Sequence, residues 1–99
     1  MRRWSLKEGA GEAALVALVR EGIIPAYKRQ PGCLRLELLR LSEAGSYLAV
    51  THWDSRASFD AWAGDAGQSW RDKYRPTLER WLELMSFGED WTGEVVVAG

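Results

Sequence analysis

His52 is the only histidine in the 99-residue chain, and Cys33 is the only cysteine. That scarcity bounds the chemistry. A zinc site built from cysteine and histidine lacks ligands unless subunits share one. A nucleophile–histidine machine would have to use His52. Asp54 and Ser55 lie next to it, but triads converge in space, so adjacency along the chain is no argument for one. The stretch VTHWDSRASFDAWAGD (50–65) places this imidazole near two indoles, Trp53 and Trp62. It reads either as a base beside a stacking indole or as the strand-to-helix corner of an ordinary core. A second aromatic set lies downstream: Trp70 and Tyr74 are one helical turn apart and present one surface. The six tryptophans point to a Trp-rich core, an aromatic-lined cavity or an adhesive interface, since each indole has a large apolar body and one N–H to satisfy.

The elements that must hold these residues can be read from periodicity. RRWSLK (2–7) alternates as a short first strand, and Gly9 and Gly11 end it. From Glu12 the period changes. Leu15, Leu18, Val19, Gly22, Ile23, Ala26 and Tyr27 trace one face of an amphipathic helix. Pro25 removes a backbone hydrogen bond, so a kink or loosened turn is expected near Ile24. Gln30-Pro31-Gly32 stops the helix. CLRLELLRL (33–41) and SYLAVTHW (46–53) read as a β-hairpin across a Ser42–Ser46 loop, with a bulge expected at Leu38-Leu39. Alternation groups His52 with Leu48 and Val50, against Ala49, Thr51 and Trp53. Asp54 or Ser55 caps a short helix, RASFDAWA. From Ser69, Trp70, Tyr74, Leu78, Trp81, Leu82 and Met85 keep a helical period, with Pro76 expected to restart the helix at its first position. DWTGEVVV, after Gly88, reads as the last strand.

The order β-α-β-β-α-(α)-β is that of an α+β, ferredoxin-like split βαβ fold, an antiparallel sheet with helices on one face. Residues 1–99 are expected to form one domain, because no linker or repeat divides them. The open face would carry Arg35, Glu37, Leu39 and Leu41 with one set from strand 46–53. A partly apolar open face is an association surface that a twofold dimer would cover. Thirteen basic and fourteen acidic side chains give a net charge of −1. With no basic stripe, nucleic acid is not the expected partner. The apolar runs fall short of the ~20 residues of a membrane span. MRRW leads into SLKE rather than an apolar signal core, so the expected compartment is the cytoplasm.

IIPAYKRQPGCLRLELLR followed by YLAVTHWDSRASFDAW resembles the antibiotic biosynthesis monooxygenase-type domain. In that family a helix runs into a Pro-Gly turn and an alternating strand. A second strand then ends in Trp before a polar turn and an "aF..W"-like helix. The resemblance implies a homodimeric α+β barrel with a cavity between helices and sheet in each subunit. Its members include cofactor-independent oxygenases of polyphenols and quinols, haem-degrading enzymes and non-catalytic proteins, so fold alone does not choose among them. The haem-degrading branch places an axial histidine ten residues beyond the tryptophan that Trp62 matches, and an asparagine on the first strand. Here the tenth residue is Asp72, and the chain contains no asparagine. A carboxylate is a poor axial ligand to haem.

The resemblance then implies a monooxygenase with no cofactor and no metal, acting on a small aromatic, polyphenol or quinol-type molecule and O₂. Trp62, Trp70 and Tyr74 would hold the ring by stacking. His52 or Arg71 would handle the proton and the oxyanion. The missing asparagine leaves the family's usual amide donor unaccounted for. The competing reading is a non-catalytic, ligand-binding or stress-related dimer with the same cavity. Residue by residue, a packing role stands beside each functional one. His52 also suits a hydrogen-bonded core or interface histidine, and Trp70 and Tyr74 also suit core. Trp53, Phe59 and Trp81 read as packing, and Cys33 as a small buried apolar residue. Trp4 and Trp91 stay open between cavity and dimer contact.

Overall fold

β1 (Arg2–Leu6) sends Arg2, Trp4 and Leu6 to one side and Arg3 and Ser5 to the other, the alternation that a pleated strand imposes. In the computed structural model, which describes residues 1–98, β1 lies at the centre of a four-stranded antiparallel sheet. The sheet also contains β2 (Cys33–Arg40), β3 (Ser46–Trp53) and β4 (Met85–Asp90), in the spatial order β2-β3-β1-β4. The first helical crossover comprises α1 (Glu12–Leu18), a π-helical turn (Val19–Ile23) and α2 (Ile24–Lys28). The second comprises α3 (Arg56–Ala63), a 3₁₀ turn (Asp65–Gly67), α4 (Gln68–Lys73) and α5 (Arg75–Leu84). This is the ferredoxin-like arrangement.

The hinge in the first crossover has an identifiable cause. Pro25 has no N–H to return to the preceding turn, and the backbone widens into the π turn just before it. Downstream, Pro31-Gly32 makes the turn into β2. Gly32 has φ +85°, and a Cβ there would collide with the Ser58 side chain. A non-glycine residue would meet both a strained backbone and a filled space. Ser55 caps α3, its Oγ accepting from the Ser58 N–H at 3.1 Å, a contact that stabilises a helix by about 1 kcal/mol.

Three expectations are corrected. The final strand is Met85–Asp90 rather than DWTGEVVV. α5 runs directly into extended backbone at Met85, which pairs with Leu6, and Val95–Val97 are exposed and unpaired in the sheet. The β2 irregularity falls between Cys33 and Arg35, not at Leu38-Leu39. It turns Leu34 outward, 62% exposed, and leaves Leu38 facing the core and Leu39 facing away. Pro76 occupies the second position of α5, because Tyr74 leaves helical geometry (φ −100°, ψ 16°) and the restart begins at Arg75. Cys33 is partly buried, and burial pushes its thiol up, so it is a poor nucleophile.

Between sheet and helices lie two clusters. One joins Trp4, Leu15, Val19, Ile23, Leu36, Tyr47, Trp81, Leu84 and Met85. The other joins Ala26, Trp62 and Trp70, with Tyr27, Trp53, Phe59, Tyr74 and Leu78 packed against them. Tyr27 and Leu78 touch the buried residues of both, so the helical layer is continuous across the two. Among the described residues no helix is long and apolar enough to cross a membrane.

Candidate active-site cavity

The inward alternation of three strands supplies the floor of a cavity: Arg2 and Trp4 from β1, Leu36 and Leu38 from β2, and Ala49 and Thr51 from β3. Its roof is helical and includes Val19, Ile23, Tyr27, Phe59, Trp62, Leu78 and Trp81. Asp90, Trp91 and Thr92 form part of the rim. The volume is about 250 Å³, above the ~150 Å³ of an apolar cavity that admits benzene. An adjoining hollow of about 350 Å³ shares Arg2, Tyr27, Phe59, Trp62 and Leu78 and adds Ala63, Trp70 and Arg71. Trp62 is therefore one of five residues that line both hollows.

Trp62 packs against four aromatic rings. Its centroid lies 5.4 Å from Tyr27, 5.4 Å from Trp53, 6.0 Å from Phe59 and 5.8 Å from Trp70. Such pairs contribute about 0.5–1.5 kcal/mol each beyond area burial. Trp70 is fixed by its indole N–H, which donates to the Ala26 carbonyl at 2.7 Å. Trp53 donates to Thr51 Oγ1 at 3.0 Å. Trp62 alone of these three has no such partner. Its Nε1–H is buried and unsatisfied, and the residue is only 8% exposed. A buried donor without an acceptor is destabilising by roughly 1–3 kcal/mol.

Arg71 secures the backbone behind Trp62. Its two terminal nitrogens donate to the carbonyls of Trp62 and Gly64, both at 2.8 Å. The guanidinium so satisfies carbonyls at the C-terminus of α3, where a cation is favoured. Gly67 packs into the same bracket, its Cα directly against the Trp62 carbonyl. Tyr74 stacks behind Trp70 at 5.4 Å but lines neither hollow, and its buried hydroxyl has no partner among the described residues.

The structure does not bring His52 and Trp62 into one cavity. Ala49, Thr51 and Trp53 face the helices, so the period of two sends His52 to the outer face. There its Nε2 lies 2.9 Å from Glu37 Oε1, and Arg35 lies 3.4 Å from the other carboxylate oxygen. Asp72, the residue at the haem-ligand spacing, is exposed. Hydrogen bonds from Gln68 and Arg75 hold its carboxyl below the usual range. Among the described residues no three histidine, cysteine, aspartate or glutamate side chains gather as metal ligands.

Tyr27 and Arg2 line the cavity, yet neither stands out in the sequence as a site residue. The helical period places Tyr27 on a core face, and Arg2 is one member of an alternating strand. The signal available is that alternation, which puts Arg2 on the Trp4 side. Burial pushes the Tyr27 phenol up to about 12, against the opposing charge of nearby Arg2. At neutral pH it is a neutral hydrogen-bond donor. The linkage has a definite sign. A tyrosine whose folded pKa exceeds its unfolded value of about 10 contributes stability below that pH, and the contribution disappears as pH rises toward 12. Wild type should lose about 2–3 kcal/mol more across that window than Tyr27→Phe, measured by urea unfolding at each pH.

The family model for antibiotic biosynthesis monooxygenase matches residues 1–68, a span that includes Arg2, Tyr27, His52 and Trp62 and ends before Trp70, Arg71 and Tyr74. Among solved structures the chain is similar to SnoaB, a cofactor-independent oxygenase from Streptomyces nogalater. The TM-score is 0.69 at 18% identity, over 99% of this chain and 93% of that one. No curated protein matches. The SnoaB likeness supports the fold, and the family match covers β1 to β3 and the helices through α3, Trp62 among them; the chain belongs to the antibiotic biosynthesis monooxygenase family.

Proposed function

We infer that the protein is a cofactor-independent monooxygenase whose substrate is a small, electron-rich hydroxyarene of the polyphenol or quinol type, bound in the Trp62 cavity. The carrying observation is the buried, partnerless Trp62 N–H in a wall shared by two hollows. Beside it stands a tyrosine kept neutral by burial. Two preorganised donors in a largely apolar space are what a developing aromatic oxyanion needs. Trp62 and Trp70 offer ring faces for the substrate, and Tyr74 supports Trp70 from behind.

The chemistry asks little more of the chain. Loss of a proton leaves an electron-rich anion that passes one electron to O₂. The radical pair closes a carbon–oxygen bond, giving a hydroperoxide at a ring carbon that also carries hydrogen. Loss of water leaves a carbonyl, so one oxygen atom stays in the product and the other leaves as water. Arg71 acts in this scheme as a positioning residue for Trp62, through the carbonyl it holds.

His52 belongs to a different surface. With Leu39, Leu48 and Val50 it forms the outer sheet face, and a second copy of the chain, packed by twofold symmetry, is the proposed cover for that face. Oxygen uptake by His52→Ala is expected within about twofold of wild type, since solvent can accept a proton from an ion-stabilised anion. A loss beyond tenfold, with the oligomeric state unchanged, would return His52 to the chemistry. The alternative reading, a non-catalytic ligand-binding or stress-related dimer, draws on the position of the sole imidazole outside the cavity lining. Tight ring binding with no oxygen uptake would favour it.

A further inference from the structure

Among the described residues Arg2 is the one cationic side chain that lines both hollows. It extends from the central strand on the Trp4 side, and its charge acts on the Tyr27 phenol across the cavity wall. Among the described residues its carboxylate neighbour within ion-pair range is Asp90, at 3.8 Å, with the two side chains 50% and 58% exposed. An ion pair that long and that wet contributes little, and it leaves donors of the guanidinium free. In the second hollow Arg2 is joined by Arg71, and no carboxylate of the described residues lines that space. The Arg71 guanidinium is already occupied by neutral carbonyl oxygens, at 2.8 Å each. The cavity thus combines flat apolar walls with one cationic side chain whose donors are largely free.

We propose that Arg2 anchors an anionic oxygen of the ligand, so that the cavity selects flat aromatic anions over neutral aromatics of the same shape. This deepens the oxygenase reading and rests on it for the identity of the reaction. No histidine reaches the cavity to act as base, and Arg2 supplies the other half of the problem. A guanidinium beside a ring hydroxyl stabilises the ionised form and lowers the pH at which the hydroxyl loses its proton. The residue is a specificity determinant for the acid group, whether that group is an ionised ring hydroxyl or a ring carboxylate.

The test uses binding alone, so it does not depend on turnover. Quenching of tryptophan emission is titrated with 2-naphthoate and with its neutral counterpart 2-naphthalenemethanol at pH 7 and low salt. Wild type is expected to prefer the anion by roughly tenfold or more, the range of a charge-assisted hydrogen bond at a partly exposed site. Arg2→Gln should bind both probes with affinities within about twofold of each other, and Arg2→Lys should restore part of the preference. Asp90→Asn, which removes the competing carboxylate, should increase it. The preference should shrink as salt screens the exposed guanidinium. Equal affinities in wild type, or an anion preference that survives Arg2→Gln, would overturn the proposal. 1-Naphthol, titrated across its own ionisation with each variant, separates the two oxygen sources: a lowered apparent pKa in wild type and not in Arg2→Gln assigns the ring hydroxyl. An anion preference confined to naphthoate assigns the carboxylate and still supports Arg2 as anchor. An Arg2-dependent preference with no oxygen uptake from any hydroxyarene would sustain this proposal while defeating the oxygenase reading.

Discussion

Trp62→Phe is expected to keep the fold and to lose oxygenase turnover by roughly 100-fold, the scale on which a single oxyanion donor acts. Phenylalanine retains a ring among Tyr27, Trp53, Phe59 and Trp70, so the aromatic cluster survives with a small cavity. The stability cost should be about 1–2 kcal/mol. The substitution removes the Nε1–H, which is buried and has no acceptor among the described residues. A purely packing role for Trp62 gives a different pattern: the same loss of stability with turnover retained in the folded variant. Oxygen uptake, with a urea midpoint to show that the variant is folded, therefore separates the two roles. Because Arg71 reaches Trp62 through its main-chain carbonyl, the variant leaves that bracket intact.

The second large effect is expected at Gly67. A Cβ at this position would fall far inside van der Waals contact with the Trp62 carbonyl, and 3.0 Å from Arg71 Nη1. The first obstacle is backbone at the end of α3, which has no rotamer by which to yield. Gly67→Ala should thus be destabilising by about 3 kcal/mol, the upper end of ordinary overpacking. The urea midpoint should fall with an unchanged slope. It should also shift Trp62 and release Arg71, so ligand quenching weakens even where the variant remains folded. Gly93→Ala is the control, since nothing lies within 4 Å of a Cβ there, and it should match wild type.

Much of the fold was legible because the sheet reads its own sequence. SYLAVTHW has its strand bounds at Ser46 and Trp53, and the Pro31-Gly32 turn and Ser55 cap lie where their chemistry requires. The position of the last strand differs from its sequence pattern for a physical reason. Valines at 95–97 have strong strand propensity, yet α5 joins its strand without a loop. Pairing with β1 therefore begins at Met85, the first residue past the helix. The cavity was legible only in part. Trp62 and Trp70 line it. As the sole imidazole His52 stands out in the sequence, but a strand offers each residue only one face, and Thr51 occupies the inner one. Tyr27 looks like helix core because its periodicity is that of core. Only the packing of α2 against α3 and α4 turns its ring toward a space. Arg2 carries no motif at all, and its role depends on where β1 sits in the sheet, a fact of tertiary order rather than of local sequence.

The proposed activity requires this cavity, with its own side chains and no added cofactor, to let an aromatic anion react with O₂. The most direct measurement is oxygen consumption by chelator-treated, flavin-free wild-type protein, with a panel of hydroquinones and anthrones. Stoichiometric uptake is expected, with one atom of labelled oxygen in the product, and it should be suppressed in Trp62→Phe. Uptake no faster than in protein-free buffer across a panel whose members quench tryptophan emission would contradict an oxygenase activity.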